Sequence, residues 1–410
     1  MSLRMINSVL ANRSIDTHCS LCGRTFKLVK ATEEHIFPGW LQHSHDLWNQ
    51  KLTIPNLVGR RYKSVKIPIC VKCNNLRYGR LETRLAPLVT SADPFAAVEA
   101  TTDDELAIWL GKISWLLWRK SHSAVDFRTR DQAEPERVLR DEMIPGTHFT
   151  GIMQRAFALR KNMHACYLDD PPDLSRYSEP YSLYRVRIHT REPQFSQFDF
   201  KDNVAITGTA LRSRSLGLIC LFDGGLHRRF RGKRFEGLLG ETLHPVQFDE
   251  VVGRIFYDQT VLDERACRVQ YDWNRPLNAV IAQNQSPRFY YPYLQQQHDI
   301  RRYAAIVGQY TSSDPSQIVP DPDKEQTVTY LWDADGHFYQ YPISGDELDA
   351  ELTNPKRVAV PRVSRNHFGE PVGSRGSAKT VSDCLMTSID KKRPNRGGPP
   401  ARKKMPTRTQ

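Results

Sequence analysis

The order of apolar and polar positions is helical in one part of the chain and strand-like in another. The stretch DDELAIWLGKISWLLWRKSH, which begins at Asp103, opens with acidic residues, closes with basic residues and is apolar on nearly every side. This arrangement predicts a buried helix whose three tryptophans pack in a core. Two further helices are predicted from the patterns of residues 133–143 and 150–162.

Beyond residue 180 the apolar positions suit β-strands. The stretch YSLYRVRIH (181–189) alternates, and NVAITGTALR and SLGLICLFDGG follow it with turn residues between them. The stretch TVTYLWDADGHFYQYPI predicts a hairpin because Asp-Gly lies near its centre. One helical pattern interrupts the strands at about residues 247–259. Residues 91–345 are therefore predicted to form an α+β domain with its helices first and its strands after them.

The two ends of the chain differ from this central region. Residues 15–90 carry short apolar pieces and turn residues, which are typical of a small unit with little core of its own. Residues 346–410 lose periodicity, and their final stretch, KKRPNRGGPPARKKMPTRTQ, predicts a basic disordered tail. We therefore expect three parts: an N-terminal module at 1–90, the larger α+β domain at 91–345 and a low-structure tail at 346–410.

Length and composition limit the classes of protein to which this chain can belong. A chain of 410 residues with 39% hydrophobic content is long enough for two to three domains with ordinary cores. No apolar run approaches the roughly 18 residues that a membrane helix needs. The start, MSLRMINSVLANRS, lacks the apolar segment and cleavage site of a signal peptide. We therefore expect the protein to act in the cytoplasm, without a membrane partner.

Positive charge is concentrated at the two ends. The net charge of the chain is +12; residues 1–90 hold 14 Lys/Arg against 5 Asp/Glu, and residues 390–410 hold 8 against 1. Basic clusters attract phosphate polymers, because each neutralised phosphate releases counterions. Nucleic acid is therefore the predicted partner, and ordinary solvated surface charge is the alternative.

Four of the eight cysteines form two Cys-x-x-Cys pairs, Cys19 with Cys22 and Cys70 with Cys73. In a reducing compartment, pairs with this spacing indicate a zinc site rather than disulfides. Four thiolates fill a tetrahedral coordination shell, so the zinc ion would be structural and could not activate water. Any chemistry must come from residues that the zinc ion holds in place.

Residues suited to such chemistry lie beside the cysteines. Glu34 and His35 lie between the two pairs, and Asn74 and Asn75 follow Cys73 directly. Hydrolysis of a phosphodiester needs a base for the attacking water, a divalent cation for the developing charge, and positive groups that hold the strand. His35 can be the base, Glu34 and Asn74 offer oxygen ligands to Mg²⁺, and the surrounding basic residues can hold phosphates.

This arrangement resembles the HNH, or ββα-metal, endonuclease family in its four-cysteine form. The matching residues are Cys19-x-x-Cys22, the stretch EHIFP from Glu34 to Pro38, and Cys70-x-x-Cys73 followed by Asn74. The stretch CNNLRYGRLE also looks like the terminal helix of the family. The resemblance covers less than a fifth of the chain.

The resemblance implies a ββα unit with a defined catalytic site. It implies that His35 is the general base, that Glu34 and Asn74 bind a catalytic Mg²⁺ or Mn²⁺, and that the four cysteines bind a structural Zn²⁺. Asn75 is the alternative ligand in place of Asn74. Asn56 is the best match for the middle asparagine of the family name.

The sequence therefore predicts a metal-dependent HNH endonuclease that hydrolyses phosphodiester bonds of DNA. By analogy with similar proteins, it is expected to be a regulated effector in bacterial defence or in a mobile element, with residues 91–345 as a regulatory, sensing or partner-docking domain. Two alternatives are a non-catalytic zinc-containing module that binds nucleic acid, and a nuclease subunit active only with a partner such as an Argonaute-type guide-binding protein.

Several other residues carry weaker signals. The basic stretch GGLHRRFRGKRFEG (224–237) lacks the ending of a phosphate-binding loop and is predicted to be either a hairpin that contacts nucleic acid or an exposed turn. His18 is expected to form a local hydrogen bond, and His43 and His45 to lie at the surface. The cysteines at 166, 220 and 267 lie in apolar surroundings and are predicted to be buried.

Overall fold

The computed structural model describes most of the chain between residues 14 and 340. The described residues are 14–53, 59–122, 131, 164–167, 181–190, 197–203, 206–223, 225–261, 267–271, 279–284, 299–323, 327–332, 337–340 and 358–360. All of them belong to one unit, Met1–Arg362. The predicted helices at 133–143 and 150–162 and the predicted tail lie outside the described residues, apart from a short strand at 358–360.

The strand that contains Glu34 and His35 pairs with the strand that leads into the second cysteine pair. Strands β1 (Ala31–His35) and β4 (Lys66–Cys70) are antiparallel, with Ala31 opposite Cys70 and His35 opposite Lys66. Between them lie a short helix and a two-stranded antiparallel ladder: α1 (Gly39–Ser44), β2 (Lys51–Thr53) and β3 (Gly59–Arg61).

A helix with a wide first turn follows β4. Residues Lys72–Tyr78 are π-helical and continue directly into α2 (Gly79–Val89). The amide of Gly79 donates to the carbonyl of Asn74, five residues earlier. A Cβ at Gly79 would lie 2.9 Å from that carbonyl oxygen, so glycine permits the wide turn. The predicted helix after Cys73 is confirmed, and Asn74 lies in its π-helical part.

Two helices connect this region to the rest of the protein, α3 (Pro94–Ala97) and α4 (Asp103–His122). The bounds of α4 are those predicted, and its three tryptophans are buried. Trp109 stacks on Trp40 at 5.7 Å between ring centroids, and Trp115 Nε1 donates to the carbonyl of Ser20 at 2.7 Å. Helix α4 thus forms part of the core under the cysteine-containing segments.

A five-stranded mixed sheet forms the centre of the remaining structure. Its strands are β6 (Ser182–Ile188), β7 (Phe198–Asn203), β8 (Gly208–Ser213), β9 (Leu216–Leu221) and β10 (Thr242–Leu243). They lie in the order β10-β6-β9-β8-β7, and only the β10-β6 pair in this sheet is parallel.

Both faces of this sheet are covered. Leu183, Leu211 and Leu218 share a hydrophobic cluster with α4 and the cysteine region. Tyr184, Ala210 and other residues of the opposite face share a second cluster with the helix Pro245–Val261, which is α7 below. Because successive residues of a strand point to opposite faces, one sheet separates these two cores.

Five further α-helices and five further strands are described, and these strands belong to other sheets. The helices are α5 (Leu226–Arg231), α6 (Glu236–Leu239), α7 (Pro245–Val261), α8 (Ile300–Thr311) and α9 (Pro315–Ile318). The strands are β5 (His164–Tyr167), β11 (Cys267–Tyr271), β12 (Ala279–Asn284), β13 (Thr327–Thr329) and β14 (Val358–Val360). Three form a sheet in the order β11-β12-β5, and β13 pairs with β14.

The α+β class is confirmed, as are helix α7 and strands β6 and β9. Within the hairpin predicted at 327–343, the described residues form an antiparallel bridge between Trp332 and Phe338, whereas β13 pairs with β14. None of the described helices is long and apolar enough to cross a membrane. The proposed boundary between residues 90 and 91 stays a prediction, although a core cluster spans it.

The prediction of a hairpin or exposed turn at 224–237 is wrong, because this stretch is mostly helical. The Asp223 carboxylate accepts hydrogen bonds from the amides of Gly225 and His227, and the Ser182 hydroxyl accepts one from the amide of Arg228. These partners satisfy the free amides at the start of α5 and fix a helix there.

Candidate metal centre and catalytic residues

The four paired cysteines come together as one cluster. The sulfur atoms of Cys19, Cys22, Cys70 and Cys73 all lie within 4.8 Å of one another. The Cys22 and Cys70 sulfurs are 3.7 Å apart, which matches the edge of about 3.8 Å in a tetrahedron with Zn–S bonds of about 2.3 Å. The cluster is consistent with a zinc site, and it is the only group of three or more candidate metal ligands of the Cys, His, Asp and Glu types among the described residues.

Two different backbone arrangements present these sulfurs. The first pair lies on a tight turn, in which Gly23 has a φ of 67° and donates from its amide to the carbonyl of Cys19 at 2.9 Å. The second pair spans the end of β4 and the start of the π-helical turn. The amide of Cys70 donates to the Cys19 sulfur at 3.2 Å, so the turn and the strand are joined directly.

Crowding of the thiols lowers the pKa of one cysteine and raises the pKa of two others. Hydrogen bonds from Cys19 and Cys73 lower the pKa of Cys22 to about 2. The hydrogen bond with Cys22 raises the pKa of Cys19 to about 11, and hydrogen bonds with Cys19 and Cys22 raise the pKa of Cys73. Four thiolates can share this small volume only around a cation, which is the chemistry that Zn²⁺ supplies.

Asn74 is held against strand β1. Its Nδ2 donates to the Thr32 hydroxyl at 3.2 Å. Thr32 and Glu34 are two residues apart on β1 and therefore lie on the same face of the strand. Because Nδ2 is used by Thr32, the amide oxygen of Asn74 is the atom left to act as a ligand. Asn75 is exposed, and Asn56 lies outside the described residues.

Glu34 is part of a buried ion cluster. Its Oε1 accepts a short hydrogen bond from Nζ of Lys112, on helix α4. The same Nζ donates to Oε1 of Glu82, on helix α2, at 2.5 Å. The Lys112 side chain is completely buried, whereas the carboxylate side chains keep 11% and 14% exposure. Two carboxylates therefore share one ammonium group.

Burial and the neighbouring charges both shift the pKa values of this cluster. Burial lowers the pKa of Lys112, but the carboxylates of Glu82 and Glu34 more than offset this effect and leave its pKa raised. Burial and the charge of Glu34 raise the pKa of Glu82, although Lys112 acts in the opposite direction. Lys112 thus stays protonated, and Glu82 binds protons more readily than an exposed glutamate.

Sequence reasoning missed both Lys112 and Glu82. A lysine inside the apolar stretch AIWLGKISWLLW was the available signal for the first, because an unpaired charge has no place on a fully buried helix. Its partners could not be read from the sequence, since they lie on two other elements.

His35 lies on the opposite face of β1 from Glu34, because the two residues are adjacent on the strand. The imidazole hydrogen-bonds to the backbone of Lys63, and its ring centroid is 5.4 Å from that of Trp48. Its buried Nε2 has no hydrogen-bond partner among the described residues. Burial, and then the positive charge of Lys66, lower the pKa of His35 below 6.5, so the ring is neutral at pH 7.

Basic residues lie on both antiparallel ladders of the N-terminal region. Lys66 is directly opposite His35 across the β1-β4 ladder. On the β2-β3 ladder, the exposed residues Lys51 and Arg61 lie opposite each other. Lys66 lies 3.8 Å from the Glu33 carboxylate, whereas the like charges of Lys51 and Arg61 repel each other. An anionic partner would relieve the repulsion.

The structure also tests the predictions for the other histidines and cysteines that the sequence singled out. His18 Nδ1 lies 2.8 Å from the Thr17 hydroxyl, which confirms a local hydrogen bond. His43 is exposed and stacks on Trp48. His45 was wrongly predicted to lie at the surface: it is half-buried, and Nε2 hydrogen-bonds to the Ser213 hydroxyl at 2.9 Å. Cys220 is buried as predicted, and the side chains of the cysteines at 166 and 267 lie outside the described set.

Comparison with known proteins assigns no family. No protein-family model, no curated protein and no solved structure matches this chain.

Proposed function

We propose that the protein is a metal-dependent nuclease of the HNH type, which hydrolyses phosphodiester bonds in DNA. The observation that carries this proposal is the hydrogen bond between Asn74 and Thr32. It joins the first turn of the helix after the cysteine cluster to the strand that ends in Glu34 and His35. A zinc ribbon that only binds nucleic acid does not need this combination of residues.

His35 would act as the general base. Its imidazole is neutral at pH 7, is oriented by the backbone of Lys63, and has an Nε2 without a partner among the described residues. Such a nitrogen can accept the proton of a water molecule that attacks the phosphorus in line with the leaving 3′ oxygen. Proton transfer of this kind typically contributes about 10²- to 10⁴-fold to the rate.

Glu34 and Asn74 would hold the catalytic cation, with Asn75 as the alternative to Asn74. Their carboxylate and amide oxygens suit Mg²⁺ or Mn²⁺, which usually keep water ligands and use only one or two protein groups. The bound cation would stabilise negative charge on the phosphate and the leaving oxygen. The residues fit this role in chemical type, but Lys112 already contacts one oxygen of Glu34, and Glu34 lies on the opposite face of β1 from His35.

Basic residues of the N-terminal region would hold the nucleic-acid backbone. Lys66 lies opposite His35, Lys51 and Arg61 are exposed on the β2-β3 ladder, and residues 1–90 carry a strong excess of positive charge. Contacts of this type give affinity without reading the base sequence. Any sequence preference, activation by a partner such as an Argonaute-type protein, or role in defence would then depend on residues beyond 90.

One observation favours a second candidate function. The ion pair between Glu34 and Lys112 already neutralises much of the charge that a catalytic cation would need. A zinc-containing module that binds nucleic acid without cutting it would tolerate this ion pair. Metal-dependent cleavage therefore distinguishes the two functions.

The test is cleavage of supercoiled plasmid and of single-stranded DNA with Mg²⁺ or Mn²⁺, at matched zinc content. His35→Ala should lower the cleavage rate by about 10²- to 10⁴-fold. His43→Ala is the matched control, because His43 contacts the same Trp48 ring but is not assigned to the reaction. Equal cleavage by the parent and His35→Ala would exclude His35 as the base. DNA binding without cleavage would support the non-catalytic function.

A further inference from the structure

Leu28 is the most exposed large hydrophobic side chain among the described residues, with 83% of its surface in solvent. It lies on a loop, residues 24–30, that leads from the first cysteine pair to strand β1. The other two apolar residues of this loop, Phe26 and Val29, pack against the core cluster that contains the cysteines. The loop therefore buries two apolar side chains and presents a third to solvent.

Backbone hydrogen bonds fix the loop at both ends and in its middle. The carbonyl of Arg24 accepts from the amide of the first cysteine at 2.8 Å, and the carbonyl of Lys30 accepts from the amide of Val71 at 3.0 Å. Between these points, the amide of Leu28 donates to the carbonyl of Thr25 at 3.0 Å. The exposed leucine is thus held in place before any partner binds, so little ordering is needed on association.

The loop is also basic. Arg24, Lys27 and Lys30 are all exposed, and residues 17–32 contain no acidic residue. Lysine is depleted in the cores of protein interfaces, and a helix that binds a membrane surface needs a wide apolar face. Duplex DNA fits a single leucine among basic residues, because minor-groove proteins combine basic side chains with an apolar wedge that enters between base pairs.

We propose that Leu28 is such a wedge, which enters the minor groove of duplex DNA and unstacks two neighbouring base pairs. Arg24, Lys27 and Lys30 would hold the flanking phosphates. The inference rests on the proposed function for the identity of the partner. It adds the contact surface and the expectation that the bound duplex is bent.

The wedge would lie close to the candidate catalytic residues. Lys30 is followed directly by strand β1, which ends at His35. The chain from Leu28 to His35 spans no more than about 25 Å, which is less than one turn of B-DNA. One duplex can therefore contact the loop and His35 together.

Binding of the zinc-loaded full chain to a duplex of about 20 base pairs, without Mg²⁺ or Mn²⁺, tests the wedge. The duplex carries 2-aminopurine in place of adenine at TA steps, which are easily unstacked, and its fluorescence rises when stacking is lost. The parent should produce this rise. Leu28→Ala should bind about 10-fold more weakly and produce little rise, whereas Leu28→Met should behave like the parent.

Lys27→Gln is the matched control in the same loop. Loss of a phosphate contact should reduce the slope of log affinity against log salt concentration by about 1 and leave the fluorescence of the bound duplex unchanged. Leu28→Ala should leave the salt slope unchanged. Because both positions are exposed, each variant should keep the zinc content and melting temperature of the parent.

A Leu28→Ala protein with the affinity and the fluorescence change of the parent would overturn the inference. A parent that binds no duplex, or that binds it without a rise in fluorescence, would also overturn it. Leu28-dependent binding to vesicles of anionic and neutral phospholipids would then indicate a membrane surface as the partner of the loop.

The outcome can be separated from that of the proposed function. Weaker duplex binding by Leu28→Ala, together with no metal-dependent cleavage by the parent, would support the wedge and count against the nuclease. Cleavage by the parent, together with equal duplex binding by the two proteins, would support the nuclease and overturn the wedge.

Discussion

Burial lowers the pKa of both lysine and histidine in this protein, but neighbouring charges decide the outcome. Lys112 stays charged because two carboxylates offset the cost of burial. Burial lowers the pKa of His45, His227 and His244 to about 4, and the Asp258 carboxylate near His227 offsets only part of this effect. The neighbours of a residue, rather than its type, thus decide whether it carries charge at neutral pH.

Acid should destabilise the protein through these histidines. The pKa of His244 is about 4 when folded and 6.5 in its ordinary state, so the unfolded chain binds the proton first. The stability present above pH 6.5 is therefore lost as the pH falls towards 4. His244 Nδ1 also accepts from the amide of Val246 at the start of α7, and His244→Asn keeps an acceptor there without the titration.

Urea unfolding at about pH 7.5 and about pH 5 measures this effect. The parent should lose up to about 2 kcal/mol more stability than His244→Asn between these conditions. An equal loss in both proteins would show that His244 is not a source of acid sensitivity.

At the scale of elements, the position of Asn74 depends on a π-helical turn. The wide turn is compatible with Gly79, whose missing side chain leaves room for the Asn74 carbonyl. Turns of this kind are rare within helices and occur frequently at functional sites. The turn, together with the cysteine cluster, thus controls where the amide of Asn74 meets strand β1.

Gly79→Ala should disturb this turn. The added Cβ would lie 2.9 Å from the Asn74 carbonyl oxygen, so the backbone must shift. We expect a loss of about 1–3 kcal/mol in unfolding free energy and a larger fractional loss of Mn²⁺-dependent cleavage.

Gly237→Ala is the control, because a Cβ there meets nothing within 4 Å. This substitution lies in helix α6 and should be neutral or stabilising by up to about 1 kcal/mol. If Gly79→Ala behaves in the same way in urea unfolding and cleavage, the turn is not required.

At the scale of the whole molecule, helix α4 connects the cysteine region to the five-stranded sheet. Its bounds were predictable because an apolar run with acidic and basic ends has few other interpretations. The cysteine cluster was predictable from the spacing of its two pairs. Strand β6 was predictable from the alternation of its apolar and polar residues, and strand β9 from a short apolar run bounded by turn residues.

The missed features all depend on contacts between distant elements. The Lys112 cluster requires β1, α2 and α4 to meet, and the burial of His45 requires strand β8. The helix at 226–231 depends on Ser182, which lies on β6. The local pattern of apolar and polar residues cannot reveal these contacts, because each one forms only when distant elements pack together.

The central claim is that a structural zinc ion on the four cysteines holds the candidate site together. The measurement that tests it most directly is zinc content and thermal unfolding of the parent, Cys73→Ser and Cys220→Ala. Cys220 is buried but lies outside the cluster, so it controls for the loss of a buried thiol.

The parent and Cys220→Ala should each hold one zinc ion per chain, whereas Cys73→Ser should lose zinc and unfold at a lower temperature. A zinc-free Cys73→Ser protein that melts at the parental temperature would contradict the claim, as would a folded parent that binds no zinc.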